Sequence, residues 1–480
     1  MKVAVISLGC DKNTVDTEMM LGILNGAGHE LVYDETESDA VIINTCAFIL
    51  DAKQESIDNI LECARLKSDR LTTGSGGPKY IIITGCLAQR YENEIIKDIP
   101  EVDAIIGVQS FDKIAEVLNS LEANAGEMKA TDTASSEESA PAGATTKDGK
   151  IITDLAPLSE APISGHKRLL TTPTHYAYLK IAEGCSKGCT YCIIPSMRGR
   201  YRSVPMQTLI DEATDLADRG VKELILVAQE TTVYGVDLYG KKSIVKLIKN
   251  LAAIEGIEYI RLMYCYPEEI TDELIDLMRN EPKLCHYIDM PIQHASDRVL
   301  KRMGRRTNEA EIRGLIGRLR TEIPDICIRT TLMTGFPGEK HSDYKVMYNF
   351  VRDLRFDRLG VFTYSPEEGT VAASMAHQLP EFIKKIRKNR IMKLQQQIVF
   401  ETNSAMTGRI MDVIIQGRIP EDDVAVARSY RDAPDVDGNI YVETDVDYIS
   451  GTVIKVKITG FKDYDLVAVP VNDNEERQSS

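Results

Sequence analysis

The sequence lacks any apolar run approaching the roughly 18–20 residues that a membrane span needs. Its start, MKVAVISLGC, has one lysine and then a short strand-like run ending in cysteine. It carries neither the hydrophobic core nor the small-residue cleavage site of a secretory signal. Both absences predict a cytosolic chain with no membrane partner. A cationic excess is missing too: 57 Lys and Arg stand against 73 Asp and Glu, a formal net charge of −16. That argues against non-specific coating of nucleic acid and favours a basic partner. No internal repeat or strict heptad runs through the chain, which leaves solenoids and coiled coils aside.

What the chain does hold is cysteine, ten in 480 residues. Cytosolic thiols stay reduced, so clustered cysteines there serve metals or catalysis more often than disulfides. The length suits roughly three domains. In residues 1–120, KVAVIS, AVIINT and YIIIT are continuous apolar runs, as buried parallel strands are, and stretches of helical spacing such as DTEMMLGILNGAG separate them. This pattern predicts a doubly wound α/β domain. Residues 121–170 are assigned to a flexible linker, because Asn124 to Lys150 has almost no large apolar side chain to offset its ordering entropy.

Strand–helix alternation returns over 171–402. Six candidate strands (AYLKIA, ELILVA, YIRLMY, YIDM, CIRTTLM and LGVFTY) suit an open, TIM-like (β/α)6 barrel better than the full eight-stranded form. Over 403–471, short strands such as MDVIIQG, NIYVET, GTVIKVKITG and YDLVAVPV predict a small antiparallel β-barrel, with 472–480 as a tail.

Cys185, Cys189 and Cys192 form a C-x3-C-x2-C triplet in EGCSKGCTYCIIP. It follows the first barrel strand, and in barrel enzymes the loops at the strands' C-terminal ends carry the chemistry. A structural zinc site wants four protein ligands, and no fourth Cys or His follows nearby. Three thiolates on a tight loop suit a 4Fe–4S cluster with one iron open. Buried structural thiols are the bland alternative; the glycines around them argue against it.

This triplet, with Tyr191 directly before its last cysteine, resembles the signature of the radical S-adenosylmethionine (SAM) superfamily. The resemblance implies that the open iron binds SAM through its amino and carboxylate groups. Reduction then releases a 5′-deoxyadenosyl radical that abstracts hydrogen. It also implies that Tyr191 lies near the adenine and that Gln229 and Glu230, ending the second barrel strand, hold the amino group. GFPGE ends the fifth strand, and Gly335 and Gly338 within it allow close backbone approach to a ligand.

Cys10, Cys46 and Cys86 each directly follow a strand of the first block, in SLGC, INTC and ITGC. Successive strand ends of a parallel sheet share one edge, so the three thiols can converge; chance placement is the even alternative. Together with the barrel and the small C-terminal barrel (TRAM type), they resemble the methylthiotransferases over nearly the whole chain. That family implies a second 4Fe–4S cluster on Cys10, Cys46 and Cys86, and a sulfur methylated by a first SAM before transfer. The remaining Cys63, Cys265, Cys285 and Cys327 read as small core hydrophobes.

Local stretches are similar to the branch that modifies a ribosomal protein (the RimO type) rather than to the transfer RNA branches. They are SLGCDKNTVDTE, IIPSMRGRYRS, MPIQHASDRVLKRMGR and VFTYSPEEGT, with Asp11 in place of a common proline. The resemblance implies methylthiolation of the β-carbon of an aspartate in small-subunit ribosomal protein twelve, with an electron donor and a sulfur source as further partners. Charge agrees: residues 403–480 carry eight Lys or Arg against fifteen Asp or Glu, a balance suited to a basic protein and not to strong tRNA binding. The run KKIRKNR, 384–390, reads as a solvated helical face, RGRYR beside the triplet as a contact to SAM or substrate, and His294 as either a satisfied barrel histidine or a substrate contact. The alternatives are a tRNA adenosine methylthiotransferase and, more distantly, a non-catalytic iron–sulfur sensor or carrier.

Overall fold

The computed structural model describes residues 1–74, 76–130, 151–420 and 422–471. The chain divides into two compact units. The first comprises Met1–Thr171, Ala182–Lys187 and Cys192–Val204; the second comprises Thr172–Ile181, Gly188–Tyr191 and Pro205–Ser480. Among the described residues, no helix is long and apolar enough to cross a membrane.

The first unit is built on a six-stranded, all-parallel sheet. Glu30–Val32, Lys2–Ser7, Ala40–Thr45, Tyr80–Gly85, Ala104–Ile106 and Ile152–Asp154 lie side by side in that order. Every residue of Ala40–Thr45 is buried, as expected of a central strand covered on both faces. Helices Asp11–Gly26, Leu50–Thr73 and Ile114–Ala130 supply the crossovers.

The sixth strand comes from a stretch assigned above to the linker, and the physical reason is visible. Asp154 is held by Ser110 (2.8 Å) and Lys113 (2.7 Å). Farther on, Arg168 forms a fully buried ion pair with Glu18 at 2.5 Å, and the backbone at Lys167 crosses the helix at Gly22, where a Cβ would sit 1.9 Å from the Lys167 carbonyl. Residues 151–170 are therefore part of the first unit. Residues 121–130 likewise depart from the expected linker, because they continue the helix Ile114–Ala130; the rest of it, 131–150, and the expected tail, 472–480, lie outside the described residues.

In the second unit, Tyr176–Lys180, Glu223–Val227, Tyr259–Leu262, Leu284–Gln293, Cys327–Thr334 and Arg358–Thr363 form an open parallel sheet in sequence order. These are the six strands the sequence predicts. Ile410–Arg418, Val424–Arg428, Ile440–Glu443, Val453–Lys462 and Asp465–Pro470 close into a small barrel around Val413, Ile415, Val442, Val456 and Ile458. It is antiparallel except where Ile440–Glu443 meets Asp465–Pro470 in parallel, the pairing that joins the last strand to the third.

The starts of the open-barrel strands are charged. Arg261 donates to Glu223 at 2.8 Å and to the Tyr430 carbonyl at 2.7 Å, and Arg428 pairs with Glu223 as well. Arg329 bridges Asp289 (2.7 Å) and Asp437 (3.4 Å), Arg358 pairs with Asp432 at 2.5 Å, and Arg431 with Asp357 at 2.6 Å. Burial alone would raise the Glu223 pKa; Arg428 and Arg261 outweigh it and hold the carboxyl below its ordinary value. Residues 428–437 of the small barrel thus form a charged floor under the open barrel. Part of the acidity counted in the sequence is spent here, because Asp432 and Asp437 face inward against arginines.

His175 sits beside this floor, with Gln416 3.1 Å from Nε2 and Ser450 3.2 Å from Nδ1. Burial and then the Arg428 charge lower its pKa to about 4. The unfolded chain, with an ordinary histidine near 6.5, binds the proton first. Stability is therefore complete above that pH and falls as the pH drops toward 4, by up to about 3 kcal/mol. Urea midpoints measured across this range should fall in the parent protein and stay flatter in His175→Gln.

Candidate functional site

The first unit brings the N-terminal cysteines to one sheet edge. Cys10 precedes helix Asp11–Gly26, Cys46 follows Ala40–Thr45, and Cys86 opens a short helix after Tyr80–Gly85. Gly9 has φ +97°, and a Cβ there would lie 2.7 Å from the Cys46 Cβ and 3.0 Å from its Sγ. Only glycine lets the Cys10 loop close onto Cys46 in this way. Burial, then the neighbouring Cys10 and Cys86, push the Cys46 thiol up to about 12. Burial also raises Cys86, against the opposing charge of Arg198.

Arg198 is the residue that sequence reading undervalued. It is buried, and its guanidinium meets the Cys86 Sγ (3.3 Å), Asp16 (3.2 Å), Glu183 (2.9 Å) and the Asn13 side-chain oxygen (2.5 Å). Burial would lower its pKa, but Cys86, Glu183 and Asp16 outweigh that and raise it. RGRYR therefore does structural work at this residue, where the sequence reading had SAM or substrate in contact. The visible signal was its place beside the triplet, with Glu183 just before Gly184 and Cys185. Ile193 and Met197 pack with Ile43, Ile83 and Leu87 in the core. Gly184, at φ +77°, lies where a Cβ would press on the Arg198, Gly199 and Arg200 carbonyls. Cys185 and Cys192 belong to this unit.

Cys189, Thr190 and Tyr191 belong to the second unit. The Cys189 Sγ is 3.9 Å from the Tyr266 hydroxyl, and the buried Arg305 guanidinium lies 4.1 Å over the Tyr266 ring. Thr190 is pinned on three sides: it donates to the Arg302 carbonyl (2.9 Å) and the Met303 carbonyl (3.0 Å), and accepts from the Ala372 N–H (2.8 Å). The Tyr191 ring meets Phe336 edge-on at 6.5 Å between centroids, so it packs against the GFPGE turn.

Gln229 is half-buried and Glu230 buried at the end of Glu223–Val227; Glu230 accepts from the Thr232 N–H at 3.1 Å. In the GFPGE turn, Gly335 (φ +80°) leaves room for the Lys384 side chain and Gly338 (φ +77°) for the Arg302 guanidinium. Here both glycines admit protein side chains. Glu339 accepts from the Gly335 N–H at 2.6 Å and pairs with Arg387. His294 is fully buried; its Nδ1 accepts from the Ser296 N–H at 2.9 Å, and its Nε2 lies 3.7 Å from Glu339. Its Nδ1 is thus satisfied, while the buried Nε2 has no hydrogen-bond partner among the described residues. The expected solvated face at 384–390 is corrected in part: Lys384 is buried, donating to the Tyr364 carbonyl at 2.6 Å, and Arg387 holds Glu339.

No disulfide joins any of the ten cysteines, and Cys63, Cys265, Cys285 and Cys327 are buried in the core. Among the described residues, no three His, Cys, Asp or Glu side chains stand at metal-ligand spacing. The N-terminal donor set still fits an iron–sulfur cluster by its chemistry. It consists of thiols alone at one sheet edge, with a buried cation beside them to offset thiolate charge.

Comparison with known proteins adds three regions. A model described as uncharacterized protein family UPF0004 matches residues 2–107, the radical SAM superfamily matches 179–351, and the TRAM domain matches 407–471. A ribosomal protein uS12 methylthiotransferase RimO of Lachnoclostridium phytofermentans is 52% identical over 97% of this chain and 99% of its own length. The protein of that name from Acetivibrio thermocellus is 45% identical over 98% and 99%. Among solved structures, the radical SAM methyltransferase TsrM from Kitasatospora setae, with cobalamin and a 4Fe–4S cluster bound, is similar in fold. Its TM-score is 0.55 at 13% identity, covering 78% of this chain and 77% of that one.

Gly9→Ala tests the N-terminal edge. After anaerobic reconstitution it should hold roughly half the iron of the parent, if each triad binds one cluster. Gly28→Ala has positive φ too, but nothing lies within 4 Å of its added Cβ, and it should keep the full complement. Arg198→Met strands Asp16 and Glu183 in the interior and should lower unfolding stability by about 3–5 kcal/mol in a denaturant titration.

Proposed function

Because this chain belongs to the ribosomal protein uS12 methylthiotransferases of the radical SAM superfamily, we propose a division of labour between its two cysteine triads. Cys185, Cys189 and Cys192 hold the 4Fe–4S cluster that engages SAM. Cys10, Cys46 and Cys86 hold the cluster that carries the sulfur. When bound, the two clusters and SAM supply radical hydrogen abstraction and the methylthio group. The observation that carries this reading is the strand-end placement of Cys10, Cys46 and Cys86 beside the buried Arg198.

The protein's own residues orient and exclude. Thr190, fixed by Arg302, Met303 and Ala372, anchors its neighbours Cys189 and Tyr191 within the second unit. Tyr191, packed on Phe336, offers a ring face for the adenine. Gln229 and Glu230 offer polar groups at a strand's end for the SAM amino group. The target is the β-carbon of one aspartate in uS12, a position that acid–base chemistry alone does not open.

The exposed carboxylates of the small barrel, Asp422, Asp423, Glu443, Asp445 and Asp447, are the surface for a basic protein. Asp432 and Asp437, spent on the floor, are not. An electron donor and a sulfur source complete the partners, and the setting is the cytoplasm.

Alanine at Cys185, Cys189 or Cys192 should abolish SAM cleavage. Alanine at Cys10, Cys46 or Cys86 should spare cleavage and stop sulfur insertion. The check is parallel quantification of 5′-deoxyadenosine and of methylthiolated uS12 by mass spectrometry. Full product from Cys46→Ala would sink the division of labour. A product on unmodified tRNA and none on uS12 would replace the substrate while keeping the chemistry.

A further inference from the structure

Two helices of the second unit, His341–Leu354 and Glu381–Met406, pack side by side and leave a groove of about 600 Å³ between them. The lining positions recur with helical spacing on both walls, so each helix turns one face to the groove. Lys345 lines one wall, and Arg390 and Lys393, one turn apart, line the other. No carboxylate lines the groove.

The carboxylates nearby are committed elsewhere. Asp343 is held by Arg298 and Ser296, Glu339 by Arg387, Glu381 by Lys384, and Glu401 by Arg355. Lys345, Arg390 and Lys393 form no ion pair among the described residues. In a chain with a net charge of −16, a groove lined by unneutralised cations alone is a local inversion of sign.

Rings accompany the charge. His341 stacks on Tyr344 at 6.0 Å, and Tyr344 meets Tyr348 at 6.2 Å. Tyr344 is buried and forms the floor, while His341 is exposed and Tyr348 half-exposed. Cations interleaved with flat rings in an open groove match a nucleic-acid strand, whose phosphates and bases need both. An acidic peptide would engage the cations and leave the rings without flat partners.

We propose that this groove docks the phosphodiester backbone of RNA. The role assigned to it rests on the uS12 reading: a ribosomal protein is assembled with RNA, and a chain of net charge −16 is repelled by phosphate except where such a cationic groove meets it. Affinity is modest, because few phosphates are neutralised, and it resides away from the small barrel.

The test uses the reconstituted full-length protein and the variant Lys345→Gln/Arg390→Gln/Lys393→Gln. Unchanged SAM cleavage in the variant shows that it has folded. Fluorescence anisotropy with a labelled RNA hairpin and a labelled oligouridine is read at several salt concentrations, with polyglutamate as competitor. The parent should bind with a log–log salt slope of about 2 to 3, and the variant should lose about tenfold in affinity and about 2 from the slope. Equal affinity and slope in parent and variant overturn the proposal. So does polyglutamate that competes as well as RNA at equal charge.

A second arm compares methylthiolation of free uS12 with that of uS12 in small ribosomal subunits. The variant should keep its rate on the free protein and lose rate on the particle; an undiminished rate on both overturns the docking role. If the parent modifies neither, the uS12 reading fails on its own, while the anisotropy still decides the groove.

Discussion

One buried guanidinium constrains the first unit more than any other group. Arg198 stands beside the Cys86 sulfur with Asp16, Glu183 and Asn13 around it. A buried cation costs several kcal/mol in lost hydration unless anions repay it, and two buried carboxylates are as costly without the cation. Each needs the others. Arg198 follows Cys192 closely in the chain, and Glu183 precedes Cys185. The segments bearing those two cysteines are thereby fastened to the sheet edge that carries Cys10, Cys46 and Cys86. Ile193 and Met197 add apolar burial to the same anchor. Geometry that cofactor chemistry needs is thus held by electrostatics and packing outside the ligands.

The second unit solves a different problem with the same means. An open six-stranded barrel leaves strand ends that a closed eight-stranded one would fill with side-chain layers. Here the strand starts carry Glu223, Arg261, Asp289, Arg329 and Arg358, and residues 428–437 of the small barrel meet them charge for charge. At the opposite ends of the strands stand Gln229, Glu230, His294 and the GFPGE turn. Buried ion pairs are concentrated at one end of the barrel, and the polar candidates Gln229 and Glu230 stand at the other.

Legibility in the sequence followed the range of the interaction. Continuous apolar runs announced the parallel strands, and a cysteine directly after each of three strands announced a shared edge, because both signals are local. Arg198 was obscure because its partners Asp16 and Cys86 lie far away in the chain and nothing in RGRYR marks it as buried. Lys384 and Arg387 misled for the same reason. Helical spacing places them on a face, but only the fold shows that face covered by Tyr364 and Glu339. Strand Ile152–Asp154 follows a low-complexity stretch that biased its surroundings toward linker. Its three residues are too few to show a period.

The charged floor bears on how such a chain can be recombined. Small barrels of this kind look like detachable modules, joined to a catalytic body by one helix and free to be traded between relatives. Arg428, Arg431, Asp432 and Asp437 contradict that picture, because each has a counter-ion among the strand starts of the open barrel or in the turn leading to one of them. A graft that moves the small barrel alone leaves buried charges without their counter-ions on both sides of the junction. The unit of exchange is therefore the barrel together with its counter-ions.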